Sequence, residues 1–561
     1  MNRIVTDTPV IIVGGGPVGL SAALELARFH VPSIVVEQHV STSQHPKTRN
    51  LNTRTMEIAR GWGNAVYRRL RNIDTAPGWK SPLWFLESIV GQEGGRIDTR
   101  GFEGPGPQIS AAVPVLSSQD LIEPILRDAA AATGLVDLRF GHQVTDVIAG
   151  FTDHDTHAAI TVQDNATGRT YRLTGQALVA ADGVDSTVRR HLGIGSTGER
   201  GLNHFVNAYI RSDIERHVGE RHGLQYFIAN TSAVGALQPL DARGRWLCQI
   251  AVQPQQWVRE LWDGERVQEW VRGAVGVPDL DVEVKSVGLW QINATIADRL
   301  VQGRTLFCGD AAHQFPPTGG LGLNTGLQGM HNAMWKLAFC VRGHADWSLL
   351  KTYEDERREP AIAAIAQSLT NAGNLGRLAA ATINPDGADM SAEEILRETR
   401  RYGNHLGVEF GAVYHSSAVI SDGTTPPSVE DSFSDYTPNA SPGCRAPHTW
   451  LGDEDGSLST HELFGAGFTL LIGPGGDIWR QAAADAAQHL QVPITSYAIG
   501  DPGLRDHNNT FCTQYEIAPD GAVLIRPDGY VAWRRTSQAA RGAPLAQALD
   551  QILGRDQLPI E

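Results

Sequence analysis

Val10-Ile-Ile-Val13 is a short β-branched run, followed at once by Gly14-Gly-Gly16-Pro-Val-Gly19 and by Leu20 to Phe29, whose Ala and Leu content favours helix. The pattern predicts strand, tight turn and helix, and Ser33-Ile-Val-Val-Glu37 predicts a second strand. Residues 177–192 predict an apolar strand, an Asp182-Gly183 turn and a short helix. Residues 304–337 predict a strand ending in Gly309-Asp310 and then a glycine-rich loop that opens a helix. Between 203 and 295 polar and apolar residues alternate over Phe205 to Ile210, Leu224 to Ile228, Arg245 to Val252 and Val284 to Asn293, with a tight turn at Asp241-Ala-Arg-Gly244. This predicts an antiparallel sheet with one covered face. On that reading one face carries Arg245, Leu247 and Gln249, with Gln238 and Tyr226 on neighbouring strands.

Residues 421–447 are rich in Ser, Pro, Asp and Thr and read as a linker and long loop. Beyond them Phe468 to Ile472 and Ile494 to Ile499 predict strands, Asp477 to Leu490 an amphipathic helix, and Ala522 to Ile525 with Tyr530 to Trp533 a hairpin about Pro527-Asp528-Gly529. A length of 561 residues suits several domains rather than one core. The expected division is 1–75, 105–202 and 296–400 for a nucleotide-binding domain and 76–104 with 203–295 for the sheet domain. A linker over 401–440 and a C-terminal domain over 441–561 complete it.

Charge and cysteine usage narrow the partners. With 47 basic against 62 acidic residues, the net −15 leaves no dominant positive field for a nucleic acid. The five cysteines are scattered without CxxC or metal-finger spacing, so neither a disulfide framework nor a zinc module is encoded, and a reducing cytoplasm is the expected setting. Pro9 to Ala27 contains four glycines and Glu25, too broken for a signal peptide and too short to span a bilayer. No other uninterrupted apolar run approaches membrane length.

The first glycine motif carries the clearest chemistry. Gly14 makes the turn, Gly16 lets backbone N–H groups approach a pyrophosphate, and Gly19 permits close helix–strand packing. Pro17 suits the first helical turn, and Glu37 ends the second strand 18 residues past Gly19, close to the spacing at which a carboxylate meets ribose hydroxyls. Gly193-Ile-Gly195-Ser-Thr-Gly198 repeats the pattern without a strand before it or a helix-forming segment after it, and reads as a loop. Neither a G-x-S-x-G elbow nor an H-E-x-x-H motif is present.

With the glycine motif and Glu37, Asp182-Gly183 and Gly309-Asp310 in that order, the chain resembles the class A flavin monooxygenases, the aromatic hydroxylases of the para-hydroxybenzoate hydroxylase type. The resemblance implies a Rossmann-like FAD-binding domain of glutathione-reductase type, an α/β fold, with an antiparallel substrate sheet. Gly14, Gly16, Pro17, Gly19 and Glu37 would hold the ADP half of FAD and Asp310 the ribityl chain, while Asp182 and Gly183 would serve both FAD and the nicotinamide nucleotide. His45 to Glu57, with Arg49 and Arg54-Thr-Met-Glu57, looks like the family's segment near pyrophosphate and flavin. Ser118-Gln119 with Glu123 looks like its flavin-contacting helix start, and Gly320, Gly322, Leu323 and Asn324 like its flavin loop.

Two positions depart from the family: Gly329-Met330 replaces the usual Asp-Ala, and Leu321 a frequent Gln. The tail resembles the thioredoxin-like domain of the phenol hydroxylase and aromatic-polyketide hydroxylase branch, in Pro442-Gly-Cys-Arg445-Ala-Pro-His448 and Arg526-Pro-Asp-Gly-Tyr-Val-Ala-Trp-Arg534. Without CxxC it has no dithiol chemistry.

The function implied is hydroxylation of a phenolic or polycyclic aromatic, with NADH or NADPH and O₂ as co-substrates, through a flavin C4a-hydroperoxide. Pro316 and Pro317 would line the reacting side of the flavin. Arg49 and the 226–249 sheet face, meaning Tyr226, Gln238, Arg245, Leu247 and Gln249, would border the substrate. For Arg49 a pairing with the pyrophosphate is the alternative. An oxidase or reductase that never hydroxylates, or an idle aromatic-binding flavoprotein, remains open. A homodimer is compatible with this reading; a metal and a membrane partner are not expected.

Overall fold

In the computed structural model, which describes residues 7–47, 49–99, 102–383, 390–452, 458–542 and 544–555, strand Thr8–Val13 lies between Thr170–Ala180 and Ser33–Glu37. All three are parallel, and Thr305–Phe307 and Val136–Phe140 extend the row at either end. Val10, Ile11 and Ile12 are fully buried, which is why this strand reads as a continuous apolar run rather than an alternating one. Helix Pro17–Arg28 follows the glycine turn and packs on helices Gln119–Ala132 and Leu321–Val341.

The second sheet runs in the order Glu283–Gln291, His204–Arg211, Arg245–Val252, Val234–Pro239, Gln225–Ala229, Leu83–Leu86 and Glu93–Ile97. It is antiparallel except at one joint, where Gln225–Ala229 and Leu83–Leu86 pair in parallel, so the sheet is mixed rather than purely antiparallel. One face, with Val206, Ala208, Trp246, Cys248 and Ile250, is covered by Val267, Trp270 and Val271 of helix Gly264–Val275. The other face turns toward the nucleotide-binding domain, to which Arg245 is tied through Ser118 and Asp120. Ser286 is tied there as well, through a 2.7 Å bond to His45.

The tail forms the sheet Ile494–Ala498, Phe468–Ile472, Ala522–Ile525, Val531–Arg535 with helices Ile478–Leu490 and Leu545–Ile552. Its first two strands are parallel and the rest antiparallel. Its order is thus a β-α-β unit, then a hairpin and a C-terminal helix.

Two expectations change. Of the second glycine motif, Ser196–Glu199 is a short strand paired with Ala294–Ala297 rather than loop. The 401–440 segment is not a free linker: His405, Glu409, Phe410 and Tyr414 are buried, and Glu409 accepts from the Thr53 backbone at 3.1 Å. Its polar composition hides this because its few large apolar residues are spaced without helical or strand period.

A buried ion-pair cluster ties elements within the nucleotide-binding domain. Glu25, on the glycine-turn helix, meets His331 at 3.1 Å, Arg28 at 2.7 Å and the Trp62 indole N–H at 2.8 Å. Burial alone would raise its carboxyl, but these partners hold it at about 2. A depressed carboxylate stabilises the fold above its unfolded value near 4.5, and that contribution is lost as pH falls toward 2. We expect Glu25→Gln to remove on the order of 3 kcal/mol at neutral pH and to flatten the stability profile between about pH 4.5 and 2. Denaturant titrations at stepped pH check this; an unchanged slope in the variant contradicts it.

Candidate active site

Gly14 adopts φ +107°, and a Cβ there would lie 2.2 Å from the Ala181 carbonyl oxygen. A Cβ on Gly19 would lie 1.9 Å from the Gly14 carbonyl oxygen, so neither position accepts a side chain. Gly16 differs: a Cβ there meets nothing within 4 Å, and the residue precedes Pro17, the first residue of its helix. The helix N-terminus therefore faces open space, with unsatisfied N–H groups and a positive dipole end suited to a pyrophosphate. Glu37 closes the turn by accepting from the Gly15 N–H at 2.6 Å.

Opposite this turn lies Gly309-Asp310. Gly309 has φ +61°, and a Cβ on Gly326 would approach its Cα to 3.1 Å, so the Leu321–Val341 helix presses directly on the turn. Asp310 is open to solvent, yet its carboxylate is surrounded by protein on the other sides; this desolvation, partly offset by Lys47, pushes it up to about 6. Among the described residues no donor reaches this carboxylate, which leaves it able to accept from a hydroxyl-bearing ligand. Asp182 sits beside Gly14, with one oxygen capping the 187–191 helix at Val188 N (3.0 Å) and the other buried without a partner. Gly183, at φ +80°, leaves open space.

Gly320 is the left-handed N-cap of the Leu321–Val341 helix, and Gly322 and Leu323 form its first turn. Pro316 is buried and Pro317 exposed, and Thr318 anchors their loop to the Ser368 carbonyl at 2.5 Å. The side chain of Asn324 is fully used within the protein: it donates to Asn50 O and Gly320 O and accepts from Asn52 N and Thr55 Oγ. Only its backbone can serve a ligand. Gln119 likewise binds Glu123, whose other oxygen accepts from Ser43 N.

Several expected positions move. Arg54 and Glu57 do not face the glycine turn; Arg54 donates to the Asp528 carbonyl at 2.6 Å, and Glu57 binds Arg445 of the tail. Tyr226 pairs with Leu237, which pairs with Cys248, so it lies on the helix-covered face. Its hydroxyl donates to Arg221 O at 2.8 Å. The face toward the nucleotide domain carries Gln225 and Phe227 instead, with Gln238, Leu247, Gln249 and Arg245. Gln238 donates to Gln225 at 2.8 Å, and Arg245 is occupied by Asp120 and Tyr209, which makes it a tie between domains.

Arg49 turns toward the sheet domain. Its Nη1 donates to the Leu224 carbonyl at 2.8 Å, and Tyr402 lies near it. Phe85 stacks on Phe227 with centroids 5.0 Å apart, and Tyr402 meets Phe227 edge-on at 6.3 Å. These aromatics, packed in one cluster with Leu83 and Leu224, reach the Pro316–Gly322 loop, where a Cβ on Gly319 would lie 3.5 Å from the Tyr402 carbonyl oxygen. Lys47, whose charge reaches Asp310, Glu123 and His45, is the cation on the nucleotide side. The alternation rule contained the signal for Phe227, one residue from Tyr226; nothing local signals Tyr402.

Among the described residues no group of three or more His, Cys, Asp or Glu side chains is placed to hold a metal ion, and no helix is long and apolar enough to cross a membrane. The cradle matches known proteins. Residues 7–368 match the FAD-binding-domain family, and residues 439–556 the aromatic-ring hydroxylase C-terminal family. Tetracenomycin A2 monooxygenase-dioxygenase of Streptomyces glaucescens is 34% identical over 570 residues, covering 98% of this chain and 97% of that protein. The flavin-dependent monooxygenase PieE, solved with FAD and substrate, superposes with a TM-score of 0.89 at 32% identity, over 98% of this chain and 100% of that one. Aklavinone-11 hydroxylase, solved with FAD and aklavinone, gives 0.85 at 30% identity, over 99% and 100%. With the open glycine turn and the unengaged Asp310 carboxylate fitting FAD, the chain belongs to the FAD-dependent aromatic-ring hydroxylases.

Proposed function

We propose that the protein hydroxylates a phenolic, polycyclic aromatic of the aromatic-polyketide kind, using NADH or NADPH and O₂. The observation that carries this reading is the position of the Pro316–Gly322 loop. The loop follows the Gly309-Asp310 turn in the chain and has Asn50 and Tyr402 against its glycines, and Tyr402 packs with Phe85 and Phe227 near the Arg49 cation. The relatives named for tetracenomycin A2 and aklavinone support the substrate class.

When bound, FAD supplies the redox chemistry: it accepts hydride from the nicotinamide and activates O₂. The chain's own groups bind and orient. N–H groups of Gly16 and the following turn hold pyrophosphate, with Lys47 adding charge, and Asp310 accepts from a ribityl hydroxyl. The free N–H groups at Gly322 and Leu323, at a positive helix end, suit an electron-rich ring edge. Phe85, Phe227 and Tyr402 pack a flat ring and exclude water, and Gln225, Gln238, Leu247 and Gln249 border the same compartment.

Residues 7–368 hold a single glycine-turn fingerprint with strand and helix in place, so the nicotinamide docks transiently. The test is NAD(P)H oxidation with and without hydroxyanthraquinones and simple phenols. Stimulation by a ring substrate with a product 16 mass units heavier is the result expected on this reading, whereas an unstimulated rate with every compound contradicts it.

A further inference from the structure

Arg357, on helix Lys351–Ile383, is 4% exposed, and among the described residues no carboxylate pairs with it. Its Nη1 donates to the Tyr414 hydroxyl at 3.1 Å, and its Nε is buried without a partner. The carboxylates nearest in the chain are committed elsewhere. Glu356 binds Arg526 and Lys336, and Glu354 binds Arg358 and the Leu300 N–H. The Tyr353 hydroxyl donates to the Phe307 carbonyl at 2.8 Å, and burial keeps that phenol protonated. A buried guanidinium in these surroundings is costly unless a negative charge completes it.

The facing helix supplies the space for one. A Cβ on Gly329 of helix Leu321–Val341 would lie 4.0 Å from Arg357 Nε, 3.6 Å from the Tyr353 hydroxyl and 3.7 Å from its ring. These are ordinary contact distances, so the position has room for a side chain that glycine does not provide. It is also the position at which this chain has Gly in place of the family's usual Asp. An aspartate oxygen, two bonds beyond that Cβ, would reach Nε from there. Glycine in a helix interior only weakens the helix, and here it leaves a gap directly beside a buried, unpaired cation.

We propose that Arg357 and the gap at Gly329 form a buried site for a small monovalent anion, a halide ion, which takes the place of a carboxylate between the two helices. The gap is that of one short side chain, which suits a single-atom anion and not a sulfate or phosphate. The site lies behind the nucleotide cradle. Gly326, three residues earlier on the same helix, presses on Gly309, where a Cβ would approach its Cα to 3.1 Å. Tyr353, which borders the gap, holds the Phe307 carbonyl two residues before Gly309. An anion at Arg357 therefore fastens the two helices that back the Gly309-Asp310 turn. The inference does not depend on which ring substrate is hydroxylated.

The experiment is thermal unfolding of the FAD-loaded protein in sodium chloride, bromide and gluconate at one ionic strength, so that charge screening is the same in each. At about 0.3 M salt the Tm in either halide should exceed that in gluconate by about 1 to 5 °C, as expected for a ligand that binds only the folded state. Gly329→Asp should raise the Tm in gluconate and remove the difference between salts. Gly329→Asn, equal in size but uncharged, should raise it less than Gly329→Asp does. Arg357→Met, which removes the cation, should also lose the difference. Crystals of the FAD-loaded parent grown in bromide should show an anomalous peak beside Arg357 Nε, a readout that needs no variant to fold. Equal Tm values for the parent in all three salts, a halide difference that persists in Arg357→Met, or bromide crystals without a peak at Nε would each overturn the site.

Discussion

Glu356→Gln is expected to be among the most destabilising single substitutions in the chain. Glu356 is fully buried and accepts from Lys336 Nζ at 2.7 Å, from Arg526 Nη1 and Nη2 at 2.6 and 2.8 Å, and from Asn332 Nδ2 at 2.6 Å. Asp528 binds the same Arg526 and Asn332, so two cations and two carboxylates are enclosed between the Leu321–Val341 and Lys351–Ile383 helices and the tail. Burial opposes ionisation of Glu356, but Arg526 and Lys336 hold its carboxyl far below the usual carboxylate range. Removing its charge strands Arg526 and Lys336 against Asp528 alone. Breaking a buried pair in this way costs about 3–5 kcal/mol, a large part of the 5–15 kcal/mol typical of a folded domain.

The expected result is early loss of the tail's packing in urea, followed by FAD release, because Asn332 and Lys336 lie on the helix whose first turn borders the flavin loop. A fourfold apolar replacement of Lys336, Glu356, Arg526 and Asp528 should recover part of the loss, since it removes the stranded charges as well. Stability of Glu356→Gln equal to the parent would show that the network contributes nothing.

Asp310→Ala is expected to cost FAD retention rather than fold. A polyol hydroxyl would lose its charged acceptor, worth about 1.5–3 kcal/mol, or about ten- to 150-fold in affinity. The pH dependence has a definite sign. With the carboxyl at about 6, FAD binds the ionised form, so affinity falls as pH drops through that value, and Asp310→Asn should show no such step. Full flavin occupancy in Asp310→Ala after dialysis would contradict the placement of the ribityl chain.

The parts of the site legible in the sequence are those built from neighbours in the chain. Gly14, Gly16, Gly19 and Glu37 fall within one strand-turn-helix-strand unit, and Gly309-Asp310 leads straight into its helix, so spacing alone carries the geometry. Contacts made across the fold left no such trace. Glu57 reaches Arg445 and Glu356 reaches Arg526 from distant segments, and in sequence each is an ordinary surface charge. Tyr226 shows a different limit. Alternation places every second residue on one face, but the register between strands fixes which set faces the ligand, and a shift of one residue exchanges Tyr226 for Phe227. Asn324 shows a third: its position in the flavin loop is readable, whereas its commitment to Asn50, Asn52 and Thr55 depends on a segment that folds against it from far away.

The central claim is that an oxygen atom from O₂ enters an aromatic ring. Mass spectrometry of the product formed under ¹⁸O₂ in ordinary water tests it most directly, with the ring substrate that most stimulates NAD(P)H oxidation. The account predicts one labelled oxygen in the product, ortho or para to an existing hydroxyl; oxygen derived from water, or hydrogen peroxide as the sole product with every phenol tried, would contradict it.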